Sequence, residues 1–301
     1  MSPASGDNVS LIRAMPLVFV LIWSTGFIVA RYGMPHAPPL SFLAWRYVFS
    51  ILCFLPWIVL ARVVWPATRT QWWHLGVTGV LMHVGYLGGV WAAVKAGMGS
   101  GLVALVVGLQ PVMTAVWLSA QGSSVTRRQW LGLALGFTGL VLVVARKFGS
   151  GGEATVLNLS LAVLALLSIT VGTLYQKQFV APCDVRSANA VQLMAALMVT
   201  LPLALLESED MRWTLANGAV NVELAAAMAW SVLGLTLGGS SLLYLLIQRG
   251  AATSVTTLLY LVPPTTALMA WLLFDEPITL LTVAGTVLTA LGVSLVVRTA
   301  R

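Results

Sequence analysis

The chain is poor in charge. Only 8% of its 301 residues are Asp, Glu, Lys or Arg, where a soluble domain carries about 25%. None of its 9 acidic residues falls inside a long apolar run. Membrane proton relays usually run through Asp, Glu or His, so His83 is left as the deep titratable candidate. Cysteine is scarce as well. Cys53 lies in an apolar run and Cys183 in a loop, so neither a disulfide nor a metal site is expected. There is no G-x-x-x-x-G-K-[ST] loop, no HExxH and no cysteine cluster, so the chain does not hydrolyse ATP itself, lacks the parts of an enzyme and implies no cofactor. No small-residue cleavage site follows the first apolar run, so that run is not read as a signal peptide.

Apolar residues fill the space that charge leaves. They make up 59% of the sequence, and the mean hydropathy is +0.93. A membrane helix needs about 20 such residues. Ten stretches qualify: 14–32, 40–61, 72–94, 99–119, 129–146, 157–179, 188–206, 224–247, 252–273 and 278–297. The expected fold is an all-α integral membrane protein with ten transmembrane helices. Ten spans put both termini on one side. That side collects Arg13, Arg62, Arg69, Arg127, Arg128, Lys177, Arg186, Arg249, Arg298 and Arg301; the other has Arg31, Lys95, Arg146, Lys147 and Arg212. This bias places N and C termini in the cytoplasm and explains the net charge of +7 without nucleic acid.

The second half repeats the first. Gly97 pairs with Gly250, Pro111 with Pro264, Thr126 with Thr279, Gly132 with Gly285 and Gly139 with Gly292, all 153 residues apart (264 − 111). Earlier in each half the offset is 146: Gly26 with Gly172, Arg31 with Lys177, Pro56 with Pro202 (202 − 56). Five spans per repeat force the second copy in upside down, the arrangement of many secondary transporters. The expected organisation is a cytoplasmic segment 1–13, a first repeat 14–148, a linker 149–156 and a second repeat 157–298. The glycines of the fifth and eighth stretches, Gly132 with Gly136 and Gly234 with Gly238, mark close helix contacts. The fifth and tenth stretches are nearly free of polar side chains and are expected at the periphery.

Candidate site residues cluster at mid-depth. His83 and Tyr86 share one face of the third stretch; His83 is either a proton carrier or a hydrogen-bonding ligand. Gln110 precedes Pro111, and proline lacks the N–H that would bond the carbonyl of Val107. Pro263 and Pro264 do the same in the ninth stretch, freeing the carbonyls of Leu259 and Tyr260. Breaks at matched places of two repeats point to a substrate site. Trp23 is too deep to be an interfacial anchor, and Ser24, Ser168, Ser240, Tyr244 and Tyr260 add polar tips at similar depth. Under the 153 offset His83 meets Thr236 and Gln110 meets Pro263, so chemistry falls where the repeats differ. Arg46 reads as structural, reaching the outer interface by snorkelling, with Gln192 as its counterpart. Asp275, Glu276 and Pro277 read as the cap of the tenth helix.

With Trp23-Ser24-Thr25-Gly26-Phe27, Ala44-Trp45-Arg46, Pro111, Pro264 and Glu276-Pro277 in place, the whole chain resembles the drug/metabolite transporter superfamily, EamA type. Within it the chain is most similar to YddG-like exporters of aromatic and other neutral amino acids. Ser123 departs from the pattern, standing where the first repeat's turn Glu would be. The resemblance implies a central cavity alternating between the two faces and cytoplasmic termini. The function expected is export of small amphipathic metabolites, amino acids foremost, from a bacterial inner membrane. Another uncharged metabolite or drug, or a membrane scaffold subunit, is the alternative. The partners expected are a small-molecule substrate and the lipid bilayer, with a monomer and no ATPase subunit.

Overall fold

The computed structural model describes residues 6–120, 126–149, 154–242 and 261–298. The helices are α1 (Gly6–Gly33), α2 (Pro39–Leu60), α3 (Arg69–Lys95), α4 (Ser100–Val107), α5 (Gln110–Ala120), α6 (Arg127–Gly149), α7 (Val156–Phe179), α8 (Val185–Ala204), α9 (Val222–Ser240), α10 (Val262–Phe274) and α11 (Leu280–Arg298). Among the described residues there is no strand, only an isolated antiparallel bridge between Thr214 and Val220. Five helices, α2, α3, α7, α8 and α9, are long and apolar enough to cross a membrane. Around an apolar core, large apolar side chains such as Leu60, Met198 and Leu280 also face outward, while the polar Arg46, His83, Asn158 and Gln192 are buried. Every backbone polar group in a bilayer must be satisfied internally, which helices achieve by themselves.

Helix starts are written in the sequence. Thr155 caps α7 in a reciprocal box with Asn158, at 2.8 and 3.2 Å. Asp184 caps α8 and Asn221 caps α9 through their side chains. The fourth apolar stretch is split. Its helix stops after Val107 and resumes at Gln110, because Pro111 has no N–H to continue the ladder. A Cβ at Gly108 would sit 2.7 Å from Cγ of Pro263, so the break in one half of the chain packs on a proline of the other.

Corresponding helices run in opposite directions. One end of the bundle holds the start of α2 and the finish of α8, tied by Glu207 to the N–H groups of Leu40 and Ser41 at 2.9 and 2.7 Å. The same end holds the finish of α3 and the start of α7, tied by Asn158 to the carbonyl of Ala96 at 3.2 Å. We call it the tied end. α2 packs against α8 and α9, and α8 packs against α3.

The fifth and tenth stretches, α6 and α11, pack tightly on each other. A Cβ on Gly139 would strike the carbonyl of Gly285, and one on Gly292 would strike the backbone of Gly132 and Gly136. These four main glycines are two repeat-related pairs, so the contact is its own counterpart under exchange of the halves. Small residues let membrane helices approach this closely. Gly292→Ala is expected to lower stability by about 1–3 kcal/mol through overpacking. Gly88→Ala, where a Cβ would meet only Leu40 at 3.7 Å, is expected to be near neutral. Melting temperatures in detergent check both.

Candidate functional site

Within α3, Val80–Leu87 winds as a π-helix, and within α9 so does Ser231–Ser240. The two coincide under the 153-residue offset, Val80 falling on Leu233 and Leu87 on Ser240. π turns bond i to i+5, are rare, and concentrate at functional sites. Hydroxyls help hold the wide turn: Thr236 donates to the carbonyl of Ser231 at 2.9 Å and Ser240 to that of Leu235 at 3.4 Å, each five residues back. In α3 the help comes from α2, where the buried Tyr47 hydroxyl donates to the carbonyl of His83 at 2.8 Å. Glycines bring neighbours onto these segments. Gly85 lies against Ser168 of α7, Gly79 against the backbone of Gln192 of α8, and Gly239 against Ile22 and Trp23 of α1.

A buried polar contact links the halves at this level. Arg46 of α2 donates from Nε to the hydroxyl of Thr236 at 3.1 Å. Its counterpart Gln192 of α8 is buried with its backbone against Gly79, at the start of the π segment that carries His83, and His83 is itself the counterpart of Thr236. Each half therefore sets a buried polar residue of its second helix against the π segment of the other. His83 is 8% exposed, stands edge-on to Tyr47 with centroids 5.7 Å apart, and leaves Nδ1 without a partner among the described residues. Tyr86 is buried, and Trp23 packs on Phe19.

Arg46 corrects the sequence reading. It does not snorkel; it is 4% exposed. The residue lies seven positions past Pro39, about 10 Å along the axis, within reach of the interface by depth alone. Its side chain instead points sideways to α9, where the hydroxyl of Thr236 accepts from it. An intramembrane cation is a site candidate by default, and that signal was present in the sequence.

The remaining candidates are placed as follows. Ser24 is buried and donates back to the carbonyl of Val20 at 2.7 Å. Ser168 is buried beside Gly85. Gln110, just after the break in the fourth stretch, donates to Thr173 of α7 at 3.0 Å. Pro263 and Pro264 occupy the first turn of α10, where a missing N–H costs nothing. Pro263 meets Gly108, on the other side of which Pro111 follows. Tyr244, Leu259 and Tyr260 lie outside the described residues.

The tied end carries two ion pairs, Lys95 with Glu209 at 2.6 Å and Arg31 with Glu276 at 3.7 Å, and a hydrogen bond between His36 and Glu223 at 2.9 Å. The Lys95 ammonium holds the Glu209 carboxyl below the usual carboxylate range, so this link weakens only in acid below that range. At a loop away from these pairs, Arg186 lowers Asp184 in the same way. Glu276 also differs from the sequence reading. It does not cap its own helix, which starts at Leu280. Asp275 adopts a left-handed turn with φ 52° that ends α10, and Glu276 reaches across to accept from the N–H of Ser100 at 3.0 Å. It thereby caps α4 from the other half, where a carboxylate meets the positive end of a helix dipole.

Comparison with known proteins gives this geometry a setting. The model of a family described as the EamA-like transporter family matches residues 12–145 and again 157–298. The Uncharacterized transporter YvbV of Bacillus subtilis is 25% identical over 289 residues, covering 94% of this chain and 90% of its own. A Probable amino-acid metabolite efflux pump of Salmonella typhimurium is 25% identical over 285 residues, covering 92% of each. The Uncharacterized inner membrane transporter YedA of Escherichia coli is 24% identical over 198 residues, covering 64% of this chain and 61% of its own. A crystal structure overlays on 97% of this chain and 99% of its own with a TM-score of 0.66 at 16% identity, a likeness of fold.

Glu276→Ala removes a buried carboxylate from a helix N-terminus and from Arg31. Hydrogen bonds to charged groups contribute about 1.5–3 kcal/mol, and a loss of that size is expected. Glu276→Gln keeps an acceptor for Ser100 and is expected to lose less. Thermal unfolding of the two variants measures the difference.

Proposed function

Because the chain belongs to the EamA-like transporter family, we propose that it is a secondary transporter that exports small amphipathic metabolites, amino acids foremost, by alternating access. The observation that carries this reading is the reciprocal placement of two buried polar residues on matched π segments, Arg46 bonded to Thr236 and Gln192 packed at the start of the segment that carries His83. Buried polar side chains in a bilayer are costly and mark pathways. Contacts that exchange between the halves suit a site reached in turn from two faces. The amino-acid reading draws support from relatives named as amino-acid metabolite efflux pumps, one at 25% identity.

In this reading the chain crosses a bacterial inner membrane ten times, as two inverted sets of five helices, and functions as a monomer without an ATPase subunit. The charge bias puts both termini in the cytoplasm and the tied end outside. The two ion pairs, the His36–Glu223 hydrogen bond and the carboxylate caps there form the outer gate in its closed state. Trp23, His83, Tyr86 and Gln110 line the substrate path, with Ser24, Ser168 and Ser240 beside it and Tyr244 and Tyr260 joining from the far half. Aromatic faces hold the substrate side chain, while hydroxyls and the carbonyl freed by Pro111 hold its polar end. A different uncharged metabolite fits the same path. A scaffold would not need the buried polar pair.

Purified protein in liposomes is expected to give saturable flux of at least one neutral amino acid in a broad panel. His83→Ala is expected to lower that flux about tenfold or more, a loss of roughly 1.4 kcal/mol of differential binding. A silent panel sinks the amino-acid reading, and wild-type rates in His83→Ala remove His83 from the path. A cysteine at position 110 that reagents reach from neither face would favour the scaffold.

A further inference from the structure

Arg46 is a buried cation that has no acid. Its only hydrogen bond among the described residues is from Nε to Thr236. The hydroxyl of Thr236 sends its own proton to Ser231, so it acts on Arg46 purely as an acceptor. No carboxylate among the described residues lies within ion-pair distance. Residues 243–260 contain no Asp or Glu, and the described acids lie at helix ends or in loops. Asp7 opens α1, Asp184 and Glu223 sit at helix starts, and Glu207 and Glu276 are spent on the first amides of α2 and α4.

An ion left alone in an apolar interior is strongly destabilising, and proteins pair it, satisfy it with hydrogen bonds or let it meet a ligand. The rest of the shell is neutral and polar. Tyr47, Tyr86 and His83 are the titratable side chains within electrostatic reach of the guanidinium, and His83 keeps an unpartnered Nδ1 on the same level. One unit of positive charge with an unpartnered imidazole nitrogen nearby matches a singly charged planar anion. Guanidinium binds carboxylate through two parallel N–H bonds, and with Nε held by Thr236 its terminal amino groups stay free for that fork.

The geometry points to Arg46 as the receptor for a carboxylate group of the transported molecule, anchored by Thr236 and flanked by His83. The molecule is then a monocarboxylate, with or without an amino group, and amines or amides of the same shape are excluded. For the identity of the cargo this rests on the transport reading above. The anion site itself does not depend on flux. The cation comes from one half and the hydroxyl that anchors it from the other, so binding at Arg46 depends on both halves.

The test measures melting temperature of the purified full chain against concentrations of L-phenylalanine, 3-phenylpropionate, L-phenylalaninamide, sodium chloride and inorganic phosphate at matched ionic strength. A ligand that binds only the folded state raises the transition by mass action. Either carboxylate is expected to stabilise the wild type and the amide is not. Arg46→Gln is expected to weaken the response roughly tenfold to a hundredfold. Arg46→Lys and Thr236→Val, which keep the charge and lose the fork or its anchor, are expected to weaken it about tenfold; they decide the matter if Arg46→Gln does not fold. The assignment is overturned if no carboxylate stabilises the wild type, if the amide, chloride or phosphate does so equally, or if the variants respond as the wild type does. Flux of L-phenylalanine is scored separately. Stabilisation by carboxylates without flux sinks export and leaves the anion site standing, whereas carboxylate flux that persists in Arg46→Gln overturns the site and leaves export intact.

Discussion

A guanidinium held in an apolar bundle sets the terms for everything around it. Arg46 is 4% exposed and rests on one neutral hydroxyl. A charge in that position demands a polar shell, and the shell demands helices that deviate from ordinary winding. The π turn in α9 carries the Thr236 hydroxyl that meets Arg46, and that hydroxyl stays tied to the carbonyl of Ser231, five residues back. On the other side, Tyr47, the residue next to Arg46, holds the carbonyl of His83 in the π turn of α3. One short segment of α2 thus serves both wide turns.

The halves of the chain complete each other rather than stand alone. Arg46 and Gln192 are counterparts, as are His83 and Thr236, and each pair is split between the halves. The same exchange recurs in the glycine contact of α6 with α11. Glu207 and Glu276 act one way, both reaching from the second half to cap helices of the first. Gly108 against Pro263 adds a fourth case, in which the interruption of one half is seated on a ring of the other. A single repeat would leave an unpaired cation, bare helix starts and an open glycine face.

Much of this was legible in the sequence. Hydropathy located the apolar helices because a bilayer solvates only uninterrupted runs, and Pro111 located the break because proline cannot donate. The glycine offsets named the four residues Gly132, Gly139, Gly285 and Gly292, which meet crosswise, Gly139 on Gly285 and Gly132 on Gly292, in α6 and α11. The π turns left no such mark, since an i to i+5 ladder uses the same residue types as an i to i+4 ladder. Arg46 was misassigned because depth along a helix is readable and facing is not; only the neighbouring α9 shows where the side chain goes. Glu276 was misassigned because a capping acid was paired with the nearest helix start, while the left-handed Asp275 turns it toward a remote one. Gln192 was visible only as an echo of Arg46, and its role needed the approach of α8 to Gly79.

The carboxylates at the tied end have a mechanical consequence. Glu207 and Glu276 close helix starts that belong to other parts of the chain, so parting that end would strip two helices of their terminal acceptors at once. In hydrocarbon such naked amides would be prohibitive. At an aqueous rim, water takes the vacated positions as they open, and each carboxylate regains its own hydration. Parting there trades one set of acceptors for another. The joint is thus self-locating: it can work only where the bundle meets water, and the same residues buried a turn deeper would weld it shut.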